Sequence, residues 1–230
     1  MTGRVVGDPD DPARQGRATV HAALGDPTRL AIVEALLDSD LAPDEVARDL
    51  GLATNGLAHH LRVLRDARLV DTHTSHGDRR RRYLTLHRPR LNGLVQQPSW
   101  TVDSVLFVCT ANAARSQMAS ALWNQRSPVP STSAGHQPAK TIPSPTRKVL
   151  AAHGLPAPSS PPRSYDEIQH AAGLVISVCD VAREHGVPFD SPRLHWSIPD
   201  PLGGTQSGFD ATFEEIAERI DHVVGRVFLP

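Results

Sequence analysis

The sequence predicts two domains: a small, mainly helical domain that carries a β-hairpin, followed by an α/β domain with a doubly wound parallel sheet. The length of 230 residues suits two domains, because one domain commonly holds roughly 100 to 150 residues. Apolar residues recur at helical spacing in the first part, and from residue 104 onward apolar runs alternate with helical stretches. We expect a flexible tail at 1–17, the helical domain at 18–88, a linker at 89–103 and the α/β domain at 104–230.

The composition excludes membrane insertion and a disulfide scaffold. Hydrophobic residues make up 39% of the chain and charged residues 21%, and no apolar run reaches the roughly 18 residues that a membrane span needs. The first residues are polar and lack the apolar core of a secretion signal, so we expect a cytoplasmic protein. The chain holds 2 cysteines, Cys109 and Cys179. In a reducing compartment such sparse thiols are either inert core residues or reactive groups.

Start signals and apolar spacing predict the helices of the first domain. One helix follows Asp26 and Pro27, which suit a helix cap and a first turn. Another begins near Pro43 and stops at Gly51, and a third runs from about Thr54, a candidate cap, to residue 67. Two short helices joined by a tight turn that contains glycine form a helix-turn-helix.

A hairpin and a concentration of arginine follow the third helix. Strands are predicted at 69–74 and 80–86, around the turn-forming residues 75–78, and this hairpin is the wing of a winged helix-turn-helix. Residues 59–90 contain 9 arginines against 3 acidic residues, although the whole chain has a net charge of -1. Basic charge concentrated in this way indicates a polyanionic partner.

These features resemble the winged helix of the ArsR/SmtB repressors over about residues 18–88. The resemblance rests on LGDPTRLAIVEALL at 24–37, on DEVARDLGLATNGLAHHLRVLRDARLV at 44–70 and on the hairpin. It implies a homodimer that binds double-stranded operator DNA with the third helix in the major groove. The implied DNA-binding residues are Thr54, Asn55, His59 and His60 near the base edges, and Arg62, Arg79, Arg80, Arg81 and Arg82 at the phosphates.

The sequence also departs from those repressors. Gly56 costs about 1 kcal/mol inside a helix and Ala58 replaces a usual serine, so affinity or sequence preference is expected to differ. The family's cysteine pair is missing, because residues 44–48 contain no thiol. If the protein responds to arsenic, its sensor lies elsewhere. His59 and His60 point about 100° apart on a helix, and we expect no metal site.

The second domain is predicted from alternating strands and helices. Strands are expected at 104–108, 131–134 and 174–178, and helices at 116–126, 146–153 and 212–228. The first of these strands is apolar throughout, as a central parallel strand is. The binding crevice of such a sheet lies at the carboxyl ends of its strands.

The first strand runs directly into a segment with the composition of an anion-binding loop. Cys109 and Arg115 are separated by five residues immediately before a helix. Backbone N–H groups that converge at a helix N-terminus bind a tetrahedral oxyanion, and an arginine adds a two-pronged contact. The same positive field favours the thiolate of Cys109, and Ser116 can donate a hydrogen bond to its sulfur. Asn112 suits a left-handed backbone position. The expected oxyanion-binding residues are Thr110, Ala111, Asn112, Ala113, Ala114, Arg115 and Ser116.

The segment VLFVCTANAARSQMASAL resembles the low-molecular-weight phosphatase fold and, within it, the thiol-dependent arsenate reductases. The resemblance extends over about 104–228, through SAGH at 133–136 and VLAAHG at 149–154 to HWSIPDP at 195–201. It implies that Asp200 is the general acid that protonates the leaving oxygen when Cys109 attacks arsenic or phosphorus. Phosphatases of this fold carry tyrosines after the acid, whereas this chain has Leu202, Gly203 and Gly204. That difference argues against a tyrosine phosphatase.

A reductase needs a second thiol, and Cys179 lies where thioredoxin-linked relatives carry their first resolving cysteine. Their third cysteine is replaced by Gly186. Two routes stay open: Cys179 forms a disulfide with Cys109, or a small thiol attacks the arsenic adduct and a glutaredoxin-like protein completes the reaction. Cys179 can also be an inert core residue of its strand. We expect no bound cofactor and an external reductant of the mycothiol, glutathione or thioredoxin type.

The favoured interpretation is an arsenic-responsive DNA-binding repressor fused to an arsenate reductase, with arsenate, arsenite or a phosphate-like oxyanion as ligand. The alternative is a repressor whose second domain senses an oxyanion or arsenite without catalysis. Ala111 and Ala113, where glycine and serine are usual, keep that alternative open because they add a Cβ near the anion and remove a hydroxyl. A phosphatase tethered to DNA is the third interpretation.

Overall fold

The computed structural model of the chain describes residues 12–91, 99–158, 160–168 and 172–230. The described residues divide into two compact units. The first contains 12–37, 41–73 and 84–91, and the second contains 38–40, 74–83 and the described residues from 99 to 230. No helix in these ranges is both long enough and apolar enough to cross a membrane.

The first unit contains the predicted helix-turn-helix. Its elements are α1 (Pro12–Leu24), α2 (Pro27–Ala35), α3 (Pro43–Asp49), α4 (Thr54–Asp66), the hairpin strands β1 (Val70–Thr74) and β2 (Arg82–Leu86), and a 3-10 turn at Arg88–Leu91. Asp26 caps α2 as predicted, since its carboxylate accepts a hydrogen bond from the backbone N–H of Arg29 at 2.9 Å. Apolar residues of α2, α4 and the hairpin pack into one core that includes Ile32, Leu64 and Leu84.

Two sequence predictions for this unit were wrong in detail. The residues from Pro12 to Arg17 are helical and not part of a loose tail, because proline suits the first turn of a helix even where no apolar period follows. Residues 1–11 of the predicted tail lie outside the described residues. Thr54 is the first residue of α4 and not its cap, which is Ala53.

The second unit is the predicted doubly wound sheet. Strands β4 (Val105–Cys109), β5 (Ser131–Gly135), β6 (Leu174–Ser177) and β7 (Arg193–His195) are parallel in the order β5-β4-β6-β7. Side chains of β4 alternate between two cores, with Phe107 in the larger core and Leu106 and Val108 in the smaller. Both faces of a parallel sheet are covered in this way. The helices are α5 (Arg115–Arg126), α6 (Ser144–Ala152), α7 (Asp180–His185) and α8 (Gln206–Val224).

The structure corrects the predicted linker and the last helix. Within 89–103, Trp100 and Thr101 form β3, which pairs with β8 (Val227–Phe228) in a separate two-stranded parallel sheet. Residues 92–98 of the linker lie outside the described residues. Helix α8 runs from 206 to 224 and not from 212 to 228, because the chain leaves it at Gly225 to form β8. Strands of two residues are too short to show a periodic pattern.

Two short segments that precede the predicted sheet in sequence belong to the second unit. In residues 38–40, the buried Asp40 accepts hydrogen bonds from the Arg219 guanidinium at 2.8 and 3.1 Å and from the N–H of Ser197 at 2.8 Å. The other segment, 74–83, joins the two hairpin strands and carries the four consecutive arginines. The arginine turn is therefore part of the second unit in packing, although the sequence assigns it to the wing.

Candidate functional site

The loop that is predicted to bind an anion lies at the carboxyl end of β4. Cys109 is the last residue of β4 and Arg115 is the first residue of α5. Between them the chain turns sharply, with Asn112 in the left-handed region at φ 47°. An asparagine adopts this conformation more readily than most residues. The prediction for Asn112 is confirmed.

The Cys109 sulfur is buried and lies 3.1 Å from the hydroxyl oxygen of Ser116. The same hydroxyl oxygen accepts a hydrogen bond from the side-chain amide of Asn112 at 2.9 Å. Because the oxygen is the acceptor for Asn112, the hydroxyl hydrogen is available to the sulfur. Ser116 is therefore placed to stabilise a thiolate on Cys109.

Several residues outside the loop hold its shape. The Asn112 side-chain oxygen accepts hydrogen bonds from the N–H of Arg163 at 3.0 Å and from Gln117 at 3.3 Å. The hydroxyl of Thr146 donates to the carbonyl of Ala113 at 3.1 Å. Gly135 approaches so closely that an added Cβ would lie 2.4 Å from the carbonyl oxygen of Thr110. A serine at position 113 is thus not required to fix Asn112.

The backbone N–H groups of the loop are available for a ligand. Within the part of the chain that the structure describes, no N–H from Ala111 to Ser116 donates a hydrogen bond, although these residues are mostly buried. Buried N–H groups are nearly always paired in folded proteins. A tetrahedral anion at the N-terminus of α5 would accept these hydrogen bonds.

Arg115 connects the loop to the candidate general acid. Its guanidinium is 5% exposed, donates to the carbonyl of Ile198 at 2.9 Å and contacts the Asp200 carboxylate at 2.9 Å. Asp200 is 46% exposed, and the segment after it exposes Leu202. The structure therefore brings the candidate nucleophile Cys109, Arg115 and the candidate acid Asp200 to one edge of the sheet.

Cys179 belongs to the same edge. It caps α7, follows β6, and its sulfur lies 3.5 Å from the hydroxyl oxygen of Thr110, the residue after Cys109. Burial raises the pKa of the Cys179 thiol; the Cys109 sulfur raises it further, while the Arg115 guanidinium opposes the rise. The structure thus places the second thiol of the chain next to the loop that Cys109 begins.

A cluster of buried polar side chains supports the elements around Cys179. The Asp180 carboxylate lies 3.3 Å from His195, whose other ring nitrogen is 2.9 Å from the hydroxyl of Ser177. Burial alone would raise the pKa of Asp180, but hydrogen bonds from His195, Ser197 and the N–H of His76 lower it to about 2. No three His, Cys, Asp or Glu side chains of the described residues are grouped to hold a metal ion.

The sequence reasoning missed the residues that support the site. The side chains that fix the loop are Gln117, Thr146 and Arg163. Asp180 and His195 contact each other next to Cys179. Gly135 carried a signal as part of the SAGH segment, but its role as a close-contact glycine appears only in three dimensions. Thr146 and Arg163 lie far from the loop in sequence, and Gln117, although it directly follows Ser116, belongs to no recognisable local pattern.

The predicted DNA-binding residues lie on the two units. In the first unit Thr54, Asn55, His59 and Arg62 are exposed on α4, whereas His60 is partly buried and lies 3.6 Å from Asp26. His60 is therefore not grouped with the others. The second unit holds Arg79, Arg80 and Arg82, which are exposed, and Arg81, which is half-buried and lies over the ring of Tyr83 at 6.0 Å.

Comparison with known proteins identifies both regions. Residues 104–227, more than half of the chain, match the family of low molecular weight phosphotyrosine protein phosphatases, and residues 26–72 match the arsR family of bacterial regulatory proteins. An arsenate reductase crystal structure from Archaeoglobus fulgidus is 34% identical, with 53% of this chain and 98% of that chain covered and a TM-score of 0.47.

The first region is similar to mycobacterial regulators. The HTH-type transcriptional regulator Rv2034 of Mycobacterium tuberculosis is 52% identical over 48 residues, which are 21% of this chain and 45% of that protein. The HTH-type transcriptional regulator CmtR of Mycobacterium bovis is 45% identical over 58 residues, 25% of this chain and 45% of that protein. The chain thus spans about half the length of these curated relatives.

The two family matches agree with the loop, the acid segment and the helix-turn-helix described above. The chain belongs to the low-molecular-weight phosphotyrosine protein phosphatase family, and an ArsR-family helix-turn-helix region precedes its phosphatase-type domain.

Proposed function

We propose that the second unit is a thiol-dependent arsenate reductase and that the first unit makes the protein an arsenic-responsive, DNA-binding repressor. The observation that carries the catalytic proposal is the convergence of Cys109, Arg115 and Asp200 on one loop whose N–H groups are free. Arsenate has the shape and charge of phosphate, so a phosphatase loop binds it. The second thiol favours reduction over hydrolysis.

The chemistry follows from the positions of these groups. The Cys109 thiolate attacks arsenic(V), an S–As bond forms, and the leaving oxygen takes a proton from Asp200 and departs as water. Arg115 and the loop N–H groups neutralise the oxyanion. The Cys179 sulfur then attacks the Cys109 sulfur, and the electron pair of the S–As bond passes to arsenic. In sum, arsenate and two thiols give arsenite, one disulfide and one water.

An external reductant of the mycothiol, glutathione or thioredoxin type would return the disulfide to two thiols. The proposal assigns Cys179 the resolving role because its sulfur adjoins Thr110 beside the nucleophile. Burial raises the pKa of the Cys179 thiol, and the neighbouring Arg115 guanidinium opposes that rise. The competing route, in which a small thiol attacks the arsenic adduct, needs no reaction at Cys179.

A single-turnover experiment separates these routes. Reduced protein is freed of small thiols and mixed with arsenate, and arsenite is counted per chain. One arsenite per chain, with loss of both free thiols, is expected for the wild type and none for Cys109→Ser or Cys179→Ser. If arsenite appears only after a small thiol is added, and Cys179→Ser is equally active, the resolving role of Cys179 is wrong.

A second readout identifies the alternatives. Hydrolysis of p-nitrophenyl phosphate that depends on Cys109, without any arsenite from arsenate, would make the domain a phosphatase. Absence of both activities, combined with arsenite binding that Cys109→Ser abolishes, would make it a sensor.

For the first unit we propose binding to double-stranded operator DNA as a homodimer. The exposed residues of α4 and the exposed arginines of the 74–83 segment support this proposal, because one set suits base edges and the other suits phosphates. Sedimentation of the full chain alone and with a duplex from its own promoter region tests both points. A monomer that retains full DNA affinity would contradict the dimer.

A further inference from the structure

The arginine turn, residues 74–83, is hydrogen-bonded to helix α7 within the second unit. The N–H of His76 donates to the Asp180 carboxylate at 2.7 Å, and the N–H of Asp78 donates to the Glu184 carboxylate at 2.7 Å. The hydroxyl of Ser75 also donates to Glu184, at 2.7 Å. Hydrogen bonds to charged acceptors are stronger than neutral ones. Both acceptors are carboxylates of the six-residue helix α7.

Packing at Gly77 reinforces these hydrogen bonds. A Cβ added at Gly77 would lie 2.3 Å from a Glu184 carboxylate oxygen and 3.2 Å from the backbone nitrogen of Val181. The backbone of the turn therefore rests directly on the helix. A side chain at this position would push the two apart.

Helix α7 contacts the chain on both sides of the four consecutive arginines. Beyond the arginines, the hydroxyl of Tyr83 donates to Glu184 at 3.3 Å. Across the turn, the N–H of Ser75 donates to the carbonyl of Arg81 at 3.0 Å. Glu184 thus holds the chain before and after Arg79–Arg82, and the presentation of these arginines depends on where α7 lies.

Cys179 lies at the N-terminal end of the same helix. Its sulfur is the N-cap acceptor of α7 and receives the N–H of Ala182 at 3.3 Å. A helix of six residues has few internal hydrogen bonds, so its cap matters more than in a long helix. The next residue, Asp180, is one of the two carboxylates that hold the turn.

We propose that α7 is a link through which the chemical state of Cys179 sets the order of the arginine turn, and thereby the affinity for DNA. While the thiol is free it caps α7, and the turn is held for contact with phosphates. When the sulfur bonds to Cys109 it gives up the cap, α7 loosens at Asp180, and the turn is released. Oxidation by arsenate would in this way weaken DNA binding without a sensor thiol in the helix-turn-helix.

The effect of arsenate on DNA binding rests on the proposed function. The structural link from Cys179 through α7 to the arginine turn does not. Cys179→Ser keeps an oxygen that caps helices well, and Cys179→Ala removes the acceptor. In hydrogen-exchange mass spectrometry of the reduced full chain, Cys179→Ala should exchange about fivefold faster than wild type over 75–83. Cys179→Ser should match the wild type. Equal protection of 75–83 in the two variants would overturn the link, whether or not the protein reduces arsenate.

An oxidised sample tests the switch without arsenate. The azo compound diamide accepts two electrons and two protons from a thiol pair and becomes a hydrazine, leaving a disulfide. In the wild type, exchange over 75–83 should rise about tenfold, and affinity for a labelled duplex should fall. Cys109→Ser is the matched control and should show neither change. A disulfide confirmed by mass with unchanged exchange over 75–83 would overturn the switch, as would failure of the two thiols to pair.

Discussion

The Arg115 guanidinium pairs with the Asp200 carboxylate at 2.9 Å, with Arg115 buried and Asp200 half exposed. A single arginine therefore joins the loop after Cys109 to the segment of the candidate general acid, which it also holds through the carbonyl of Ile198. An ammonium group cannot make these planar contacts together. The pair joins two segments that lie 85 positions apart in the chain.

Arg115→Lys is expected to lower kcat/KM for p-nitrophenyl phosphate and for arsenate by about 100-fold or more. The lysine would make a weaker contact with the oxyanion and would hold Asp200 less firmly in place. The matched control is Arg126→Lys, at the end of α5, which pairs with the exposed Asp221 and should keep full activity. Steady-state kinetics measures both, and an Arg115→Lys enzyme of wild-type activity would refute the assignment.

Gly135→Ala should displace the anion loop, because the new methyl group would lie 2.4 Å from the carbonyl of Thr110 and 2.9 Å from the nitrogen of Asn112. We expect a stability loss of about 1 to 3 kcal/mol and activity reduced in step. Gly208→Ala in α8 is the control, since a Cβ there meets nothing within 4 Å. Urea unfolding compares the two, and equal stability would contradict the close approach.

Ser116→Ala should slow the reaction of Cys109 with iodoacetamide about tenfold at a fixed pH of 7, because the thiolate loses a hydrogen bond. The 3.1 Å separation of the Cys109 sulfur and the Ser116 hydroxyl oxygen is the basis for this expectation. Ser120→Ala, one turn further along α5, serves as the control. Alkylation followed by mass spectrometry gives both rates, and unchanged alkylation in Ser116→Ala would show that the hydroxyl donates elsewhere.

Asp180→Asn tests the role of the buried Asp180 carboxylate through the pH dependence of stability. The pKa of Asp180 is lowered to about 2 from its ordinary value of 3.8, so its carboxylate stabilises the fold above about pH 4, and this contribution disappears as the pH falls toward 2. The wild type should exceed the variant in stability by about 2 kcal/mol at pH 7, and the gap should shrink between pH 4 and 2.

Urea unfolding at several pH values measures that gap, with the exposed Asp190→Asn as control. A gap that stays constant down to pH 2 would mean that Asp180 is not stabilised as a carboxylate.

Replacing Arg79 and Arg82 with alanine should weaken binding to duplex DNA. The log–log dependence of affinity on salt should flatten by about 0.9 for each phosphate that the protein no longer neutralises. The control replaces the exposed Lys140 and Lys148, which changes the net charge equally. Fluorescence anisotropy at several salt concentrations reports both slopes, and equal slopes in the two variants would remove these arginines from the interface.

Patterns of neighbouring residues were enough to predict the two-domain order, the helix-turn-helix, the central strands and the loop from Cys109 to Ser116. These features have local causes, because each signal falls within one short segment. The signals are the apolar spacing, the cap at Asp26 and the fixed interval between Cys109 and Arg115. Two helix boundaries differ from the prediction: α1 begins at Pro12, and α8 ends before Gly225.

The tertiary structure decided which distant residues share a site. Gln117 and Arg163 converge on Asn112, Thr110 reaches Cys179, and the turn at Gly77 lies on α7. It also assigned the arginine turn to the second unit, whereas the sequence placed that turn only within the hairpin. These interactions join residues up to about a hundred positions apart, and their energies depend on packing and burial. A pattern of neighbouring residues does not encode such distant pairings, so only the folded chain reveals them.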